Sequence, residues 1–430
     1  MKYIINYDKI DITKSVIIYI GVGFPDTSNE TQGLPGGGSK KAIIDTVNLK
    51  HHFGDNFLCF MKSNKKKLGG LYYSKEILDF DMFKAYGIPH FLPAVNYFST
   101  FIKTLLYTLF FFPNLFISNY TVNKCVKQLI KHGVKPSAIT FVAYSPTLGH
   151  TFPCYQAKKR FGCIYIEILD SGPVFKDRGL QRNLILKIFK NHDGVITYVA
   201  GSAIDFASDK PYVEVFFPIA DELLGLFKKN EKAINTEIDE RIPIIAYTGH
   251  LSNVYQVDQI IEVIKETGRK YKWKLAGYGP LAGALSELCK DERYDVEFFG
   301  LVSTAETVEI MMSADLLLCQ KGGALNEFDK YKSKYAASGK LIEYLCSGVP
   351  IIASDIPAFS ERIKPYLTLI DQHITAVDLC EKLESIFETE NYLVLLEKAE
   401  NGRQFAFENC TVSLYNKTTI EFVKQIAKNV

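Results

Sequence analysis

The sequence lacks the features that mark several broad classes of protein. Its 50 Lys and Arg residues are nearly balanced by 48 Asp and Glu residues, so a net charge of +2 provides no general attraction for nucleic acid. Its nine cysteines are scattered and never spaced as Cys-x-x-Cys, which argues against a disulfide framework or a zinc site. We therefore expect no nucleic-acid partner, no metal, and a reducing, cytoplasmic location.

The sequence also lacks a long uninterrupted apolar run. Its N-terminal residues carry charges within their apolar stretch and show no cleavage site of small residues, so we expect no signal peptide. Segment 97–117 is the most apolar part of the chain, but Lys103 and Pro113 are among the residues that interrupt it. We predict an apolar helix there rather than a membrane-spanning segment.

What the sequence does contain is an alternation of short β-branched runs with helical stretches, which is typical of α/β proteins with parallel sheets. A length of 430 residues favours two domains of roughly 200 residues each. The alternation restarts after the polar stretch 221–240, where we place the linker. We predict a Rossmann-like domain over 1–222, a second over 223–410, and a closing helix within 411–430. The predicted strands are 15–20, 57–61, 138–143, 163–169, 194–199 and 212–216, then 242–248, 273–276, 295–299, 315–319, 349–353 and 367–370.

The strongest chemical signal is a short motif that opens a predicted helix in the second half. Ser338 is placed to cap this helix. The backbone N–H groups of Gly339, Lys340 and Leu341 would then face a bound anion, supported by the helix dipole. Glu343 shares a helical face with Lys340, where its carboxylate can accept hydrogen bonds from ribose hydroxyls. The motif indicates a nucleotide diphosphate site, and an ordinary cap followed by a surface ion pair is the alternative.

Two glycine turns favour the nucleotide hypothesis. Gly249 and His250 follow one predicted strand, and Gly277 and Tyr278 follow the next. Ligands of open α/β sheets bind beyond the C-terminal ends of the strands. We therefore assign these four residues to the same donor-binding site, where the two glycines allow the backbone to approach the ligand closely.

Residues 242–357 together resemble the retaining glycosyltransferases of family 4, which have the GT-B fold. The resemblance rests on Ala246-Tyr-Thr-Gly-His-Leu, Leu275-Ala-Gly-Tyr-Gly-Pro and Ser338-Gly-Lys-Leu-Ile-Glu, in that order. It implies two facing Rossmann-like domains with a cleft between them, the first binding the acceptor and the second a nucleotide-sugar donor. It also implies transfer of a sugar, with retention, from a donor that we expect to be UDP-linked to a hydroxyl of a glycan or lipid-linked acceptor.

Three positions depart from the family pattern. Tyr335 stands where the family commonly has a glutamate, and His250 and Tyr255 stand where it commonly has a cationic pair. Lys340, the helix N-terminus and Lys321 are left to balance the leaving diphosphate, because developing negative charge needs fixed positive partners. Lys340 is therefore a catalytic candidate, and we expect either a different way of holding the donor or weak activity.

Candidate residues for the acceptor lie in the first half. Gly36, Gly37 and Gly38 follow the first predicted strand, and the resemblance assigns them to an acceptor-binding loop; a flexible turn is the alternative. His150 and Asp170 follow later strands, where a sheet presents side chains to a ligand. Either residue can orient an acceptor hydroxyl or stabilise a cationic sugar, so both are catalytic candidates. A purely structural role is the alternative for each.

A basic run and an aromatic segment lie in the same half of the chain. Lys62, Lys65, Lys66 and Lys67 form the run, and 98–116 supplies aromatic and aliphatic bulk. This combination suits an anionic membrane surface, and the enzymes that this chain resembles often extend lipid-linked glycans. We therefore expect peripheral association with the inner face of the cytoplasmic membrane, with a solvated loop and a core helix as the alternative.

The sequence leaves three functional hypotheses. The first is a hexosyltransferase that uses a nucleotide sugar as its substrate and needs no metal or cofactor, because the helix N-terminus and Lys340 can hold the diphosphate. The second is a nucleotide-sugar epimerase or an inverting transferase, since fold does not decide chemistry. The third is a catalytically silent subunit that binds nucleotide or glycan, which would account for Tyr335, His250 and Tyr255.

Overall fold

The computed structural model divides the chain into two compact units, Met1–Val215 with Asn416–Val430, and Phe216–Tyr415. The residues that the structure describes are 5–21, 37–62, 77–80, 83–88, 100–144, 147–170, 180–207, 209–230, 238, 241–322, 330–331, 334–336 and 338–428. The statements below concern these residues.

The first unit is built on an eight-stranded sheet. Its strands are β1 (Val16–Gly21), β2 (Phe57–Lys62), β3 (Ile77–Phe80), β4 (Phe83–Ile88), β5 (Ile139–Tyr144), β6 (Ile164–Leu169), β7 (Gly194–Thr197) and β8 (Tyr212–Glu214). They lie in the order β3-β4-β2-β1-β5-β6-β7-β8, and every neighbouring pair is parallel except β3 with β4. Because β2 and β5 lie on opposite sides of β1, the strand order reverses between β1 and β5.

Helices connect these strands. They are α1 (Gly37–Phe53), α2 (Thr100–Lys131), α3 (Leu148–Phe161), α4 (Leu180–Phe189) and α5 (Ala200–Ala207). The apolar helix expected at 97–117 is present from Thr100 onwards as the N-terminal part of α2, and 97–99 lie outside the described residues. Within the described part of the chain, no helix is both long and apolar enough to cross a membrane.

The second unit is built on a six-stranded, fully parallel sheet. Its strands are β9 (Ile244–His250), β10 (Lys272–Tyr278), β11 (Asp295–Phe298), β12 (Leu316–Cys319), β13 (Ile351–Ser354) and β14 (Thr368–Ile370). Their order is β11-β10-β9-β12-β13-β14, so the strand order reverses between β9 and β12. Ligands of such sheets bind at the C-terminal side of this reversal.

The helices of the second unit cover both faces of its sheet. They are α6 (Asp221–Lys229), α7 (Val257–Thr267), α8 (Ala282–Leu288), α9 (Thr304–Met312), α10 (Gly339–Ser347), α11 (Ala376–Ile386) and α12 (Thr389–Asn409). Consecutive side chains of β9 enter different cores: Ile245 and Tyr247 join one buried cluster and Ala246 the other. Burial on both faces explains why these strands are continuous apolar runs.

The predicted α/β fold with largely parallel sheets is confirmed, and each of the twelve predicted strands is present to within two residues. Two features differ from expectation. The edge hairpin of β3 and β4 was not predicted, because an antiparallel pair needs no crossover helix and so breaks the alternation. The stretch 221–240, predicted as a linker, contains α6, whose Leu224 and Phe227 are buried in the second unit.

The last helix, α13 (Val412–Lys428), belongs largely to the first unit, which includes the chain from Asn416 onwards. Its Phe422 and Ile426 pack against the start of β7, where a β-carbon added at Gly194 would lie 3.0 Å from both side chains. A small residue at this position therefore allows α13 to lie close to the sheet.

A partly buried ion pair fixes the starts of the two strands that flank the reversal in the second sheet. Nη1 of Arg241 donates to Oδ2 of Asp315 at 2.6 Å, and the second guanidinium nitrogen contacts the other carboxylate oxygen. The backbone N–H of Ile244 also donates to Oδ2 of Asp315, at 2.8 Å. Since Asp315 is only 7% exposed, its hydrogen bonds align β9 with β12 where water cannot replace them.

We expect Asp315→Asn to lower the free energy of unfolding of the second unit by about 2–3 kcal/mol, because Arg241 would lose its bidentate partner. Trp273, the only tryptophan, is buried in this unit, so its fluorescence during urea unfolding measures the change. Asp291→Asn is the matched control, since the Asp291–Arg293 pair is exposed and such pairs contribute little. Equal losses in both variants would contradict this role for Asp315.

Candidate functional site

Two glycine turns lie side by side at the C-terminal ends of β9 and β10. Gly249 and Gly277 are directly paired in register, with φ angles of +139° and +145°. A β-carbon at Gly277 would lie 1.7 Å from the carbonyl oxygen of Gly249, which no side chain can accommodate. A β-carbon at Gly249 would lie 3.3 Å from Cδ of Lys340. The first glycine turn is therefore shaped to receive the lysine of α10.

Helix α10 begins beside this turn. Its first N–H groups, those of Gly339, Lys340 and Leu341, have no acceptor within the helix, as at any helix N-terminus. Ser338 occupies the N-cap position, but its side chain makes no capping hydrogen bond to the described residues, so the prediction that it caps α10 is wrong. Its backbone, with φ −109° and ψ 111°, is in the extended region that N-cap residues usually adopt.

The ammonium of Lys340 is buried among three tyrosine rings. Nζ lies 4.0 Å from the ring centre of Tyr247, 5.3 Å from that of Tyr255 and 5.5 Å from that of Tyr344. Among the described residues, Nζ has no hydrogen-bond partner. Cation–π attraction therefore replaces the hydrogen bonds that a buried ammonium normally makes. We call Tyr247, Tyr255 and Tyr344 the tyrosine cage.

Burial lowers the pKa of the Lys340 ammonium, while the nearby Cys319 and Glu343 raise it. Cys319 ends β12 and is itself buried, which raises the pKa of its thiol. Nζ of Lys340 would lie 3.7 Å from a β-carbon added at Gly249, so the ammonium is at the C-terminal end of β9, beside the reversal between β9 and β12 where α/β sheets bind ligands. A buried cation with unused N–H groups at this position is suited to bind an anion.

The remaining predicted donor-site residues fall around Lys340 in two groups. Leu341 is buried in the core beneath α10, while the half-buried Glu343 is close enough to Lys340 to affect its pKa. His250 and Tyr278 are exposed and their rings meet edge to face, with centroids 5.3 Å apart. They therefore form the open side of the site.

Lys321 does not join Lys340 as a second cation available to a diphosphate. It is 7% exposed, and its Nζ donates to the carbonyl of Ala336 at 3.1 Å, while its backbone N–H donates to the hydroxyl of Ser354 at 3.0 Å. Lys321 thus connects the end of β12 to the chain that enters α10. Its hydrogen bonds organise the backbone of the site.

In the first unit, the structure brings His150 and Asp170 together through one tyrosine. Nδ1 of His150 donates to the carbonyl of Tyr144 at 2.8 Å, and the hydroxyl of Tyr144 donates to Oδ2 of Asp170 at 3.1 Å. His150 is only 2% exposed, whereas Asp170 is half-buried at the C-terminal end of β6. Asp170 is therefore the member of this group that is better placed to meet a ligand.

The structure describes only some of the residues predicted for acceptor binding and for the basic run. Gly36, Lys65, Lys66 and Lys67 lie outside the described residues. Gly37 and Gly38 form the first turn of α1, so they lie in the helix that follows β1 and not in a loop before it. Their role in acceptor binding stays a prediction.

Sequence reasoning missed the tyrosine cage. Tyr344 lies four residues after Lys340, a spacing that places both side chains on one face of α10, and this signal was available. Tyr247 and Tyr255 come from β9 and from the short 3₁₀ helix Asn253–Tyr255, and no local pattern connects them to residue 340.

Comparison with known proteins places the candidate site within a recognised family segment. Residues 228–405 match the model of the family described as glycosyl transferases group 1. This segment contains both glycine turns and the whole of α10, and it covers less than half of the chain. No curated protein matches the sequence.

Solved structures with similar folds span nearly the whole chain. Sucrose-phosphate synthase from Thermosynechococcus elongatus has a TM-score of 0.63 at 14% identity, covering 96% of this chain and 100% of that one. A glycosyltransferase from Rickettsia africae has a TM-score of 0.61, also at 14% identity with 96% and 100% coverage. HepE from Anabaena, solved in complex with UDP, has a TM-score of 0.57 at 12% identity, with 95% and 100% coverage.

These similarities define the class of the protein. The chain has the GT-B fold, as the sequence predicted. The family match over 228–405 supports a glycosyltransferase, and it includes the residues that surround Lys340.

We expect Gly277→Ala to destabilise the second unit by more than about 3 kcal/mol, because the added methyl group would clash with the Gly249 carbonyl and enforce a strained φ angle. Urea unfolding followed by Trp273 fluorescence measures this. Gly283→Ala in α8 is the matched control. A methyl group there meets no described atom within 4 Å, and we expect a gain of about 0.5–1 kcal/mol. Wild-type stability of Gly277→Ala would contradict the close approach of the two turns.

Proposed function

We propose that this protein transfers a hexose, with retention, from a UDP-linked donor to a hydroxyl of a glycan or lipid-linked acceptor. The observation that carries the proposal is the buried Lys340 ammonium at the N-terminus of α10, whose N–H groups meet no acceptor in the described structure. The family match over this segment and the UDP bound to HepE, a protein of similar fold, support a nucleotide-sugar donor.

The diphosphate of the donor is expected to lie between Lys340 and the first turn of α10. The leaving nucleotide gains negative charge as the glycosidic bond breaks, and fixed positive groups that receive this charge lower the barrier. Lys340 supplies a full charge and the helix N-terminus supplies about half a charge. Because both are held by the fold before the donor binds, little reorganisation is needed during the reaction.

The glycine turns and Glu343 complete the proposed donor site. Gly249 and Gly277 carry no side chains between the backbone and the ligand, so the diphosphate can approach the ends of β9 and β10. Glu343, one helical turn after Lys340, is placed to accept hydrogen bonds from two ribose hydroxyls. This arrangement requires neither a metal nor a cofactor.

For the acceptor, we propose that Asp170 orients the reacting hydroxyl and that His150 acts indirectly. Asp170 accepts a hydrogen bond from Tyr144, which fixes its carboxylate and leaves further lone pairs for an acceptor hydroxyl. His150 holds the backbone carbonyl of that same tyrosine. It therefore positions Tyr144, and through it Asp170.

Isothermal calorimetry with UDP, GDP and ADP tests the donor site. We expect UDP to bind best, and Lys340→Met to weaken its binding about tenfold to a hundredfold because a charge-assisted contact to phosphate is lost. Glu343→Gln should weaken binding about tenfold through the ribose. Lys274→Met is the control, since this half-buried lysine lies on β10 and donates to Ser313.

The outcomes separate the competing functions. Absence of binding to all three nucleotides would overturn the transferase proposal. Binding without sugar transfer to any glycan acceptor would favour a catalytically silent subunit. Product analysis by NMR distinguishes retention from inversion at the anomeric carbon, and a change at another carbon of the donor sugar without transfer would identify an epimerase.

We also propose that α2 brings the protein to the inner face of the cytoplasmic membrane, where a lipid-linked acceptor would be found. Phe116 and Tyr120 are 64% and 63% exposed, although aromatic side chains are usually buried. The exposed Lys127 and Lys131 follow on the same face of the helix. Aromatic rings above a basic stripe are suited to the interface of an anionic bilayer.

Cosedimentation with vesicles tests this proposal. We expect binding to vesicles that contain phosphatidylglycerol and much weaker binding to pure phosphatidylcholine, because the lysines need anionic headgroups. The double variant Phe116→Ser, Tyr120→Ser should reduce vesicle binding about tenfold or more. Tyr212→Ser, which removes an exposed aromatic ring from β8, is the control. Equal binding by the wild type and the double variant would contradict a role for α2.

A further inference from the structure

The tyrosine cage has two buried walls and one partly open wall. Tyr247 and Tyr344 are fully buried, whereas Tyr255 is half-buried on the short 3₁₀ helix that follows β9. The centre of the Tyr255 ring is 5.3 Å from the Lys340 ammonium and 6.1 Å from the centre of the exposed His250 ring. Tyr255 is therefore the wall of the cage that lies next to the open side of the site.

The hydroxyl groups of the two buried walls are engaged elsewhere. Tyr247 donates its hydroxyl hydrogen to the carbonyl of His250 at 2.8 Å. The hydroxyl of Tyr344 accepts from the backbone N–H of Thr248 at 2.9 Å. These hydrogen bonds fix the two rings with their faces toward Lys340. Neither hydroxyl accepts a hydrogen bond from the Lys340 ammonium.

Besides the cage, the charged and titratable groups that act on Lys340 come from β12 and from α10 itself. Cys319 reaches it from the end of β12 and Glu343 from α10, and both favour the charged ammonium. Lys321, beyond β12, acts on Cys319 and donates to Ala336. Burial acts in the opposite direction and disfavours the charged ammonium. The electron-rich faces of the three tyrosine rings therefore hold the cation in place.

We propose that Tyr255 is a positioning residue for Lys340: its ring completes the cage and holds the ammonium in place without accepting a hydrogen bond, so the N–H groups are kept for the diphosphate. A carboxylate or carbonyl in this position would occupy those N–H groups before the donor arrives. A ring face attracts the cation but leaves its donors unused. This inference rests on the proposed donor site and explains how one lysine is held there.

The test compares Tyr255→Leu with Tyr255→Phe. Calorimetry with whichever of UDP, GDP and ADP binds best is carried out between pH 6 and pH 10. We expect Tyr255→Leu to bind about five- to thirtyfold more weakly, since an apolar side chain has no ring face, and Tyr255→Phe to retain most of the affinity. Tyr294→Leu is the matched control. Tyr294 is also a half-buried tyrosine beside a cation, Arg293, but it precedes the first residue of β11, whereas the donor site lies at the C-terminal ends of the strands.

The pH profile distinguishes a positioning role from a merely structural one. Binding requires the ammonium, so affinity is present below the pKa of Lys340 and is lost as the pH rises through it. The Tyr255 ring stabilises the charged form, so its removal in Tyr255→Leu should shift the alkaline midpoint downward by about half to one pH unit. In Lys340→Arg the guanidinium stays protonated, and the alkaline loss that belongs to Lys340 should disappear.

The outcomes separate this inference from the proposed function. If the wild type binds none of the nucleotides, both fail. If the wild type binds and Tyr255→Leu has the same affinity and midpoint, only the role of Tyr255 fails. Weaker binding with an unchanged midpoint, or an alkaline loss that persists in Lys340→Arg, would also overturn that role. Circular dichroism spectra and urea unfolding establish that each variant is folded before binding is measured.

Discussion

The close approach of β9 and β10 at their C-terminal ends is the constraint on which the candidate donor site depends. Gly277 lies against the carbonyl of Gly249, and a side chain there would displace the turn that contains Thr248 and His250. Those two residues supply the backbone groups that orient the buried walls of the tyrosine cage. One steric requirement between two strands is therefore transmitted, through hydrogen bonds, to the position of the Lys340 ammonium.

The topology of the second sheet explains why this site lies where it does. Connections from β9 and β12 leave in opposite directions, which opens the sheet at their C-terminal ends. The Arg241–Asp315 pair aligns the same two strands at their other ends. The strands are thus aligned at their starts, and α10 brings Lys340 against Gly249 at the end of β9.

Much of the fold could be predicted from the sequence because a parallel sheet buried on both faces leaves a strong local pattern. Strands such as β9 and β12 are apolar runs that end at glycine or polar residues. The edge hairpin of β3 and β4 has no such pattern. In the site, Gly249, Gly277 and Lys340 were found by motif.

The physical environment of Lys340 could not be predicted from local sequence patterns. Its cage joins residues that are up to 97 positions apart in the chain, and only the folded sheet brings them together. In the sequence, Tyr255 stands where the resembling family commonly has a cationic residue. In the structure, its aromatic ring is one wall of the tyrosine cage. Lys321 was expected at the diphosphate, but its ammonium is bonded to the backbone of Ala336.

The use of rings rather than carboxylates has a consequence for the charge of the site. Glu343 acts on the ammonium without accepting a hydrogen bond from it. A carboxylate in direct contact with Lys340 would stabilise the ammonium but cancel its charge, and an incoming diphosphate would meet a neutral pair. A tyrosine ring has a quadrupole and no net charge, so it holds the cation while the full positive charge remains. Tyr335, which replaces the family's usual glutamate, extends this trend: it is buried, packs against Tyr331 and lies under Lys334. Because no carboxylate forms an ion pair with Lys340 among the described residues, a single lysine and one helix N-terminus can together supply the positive potential that a diphosphate needs.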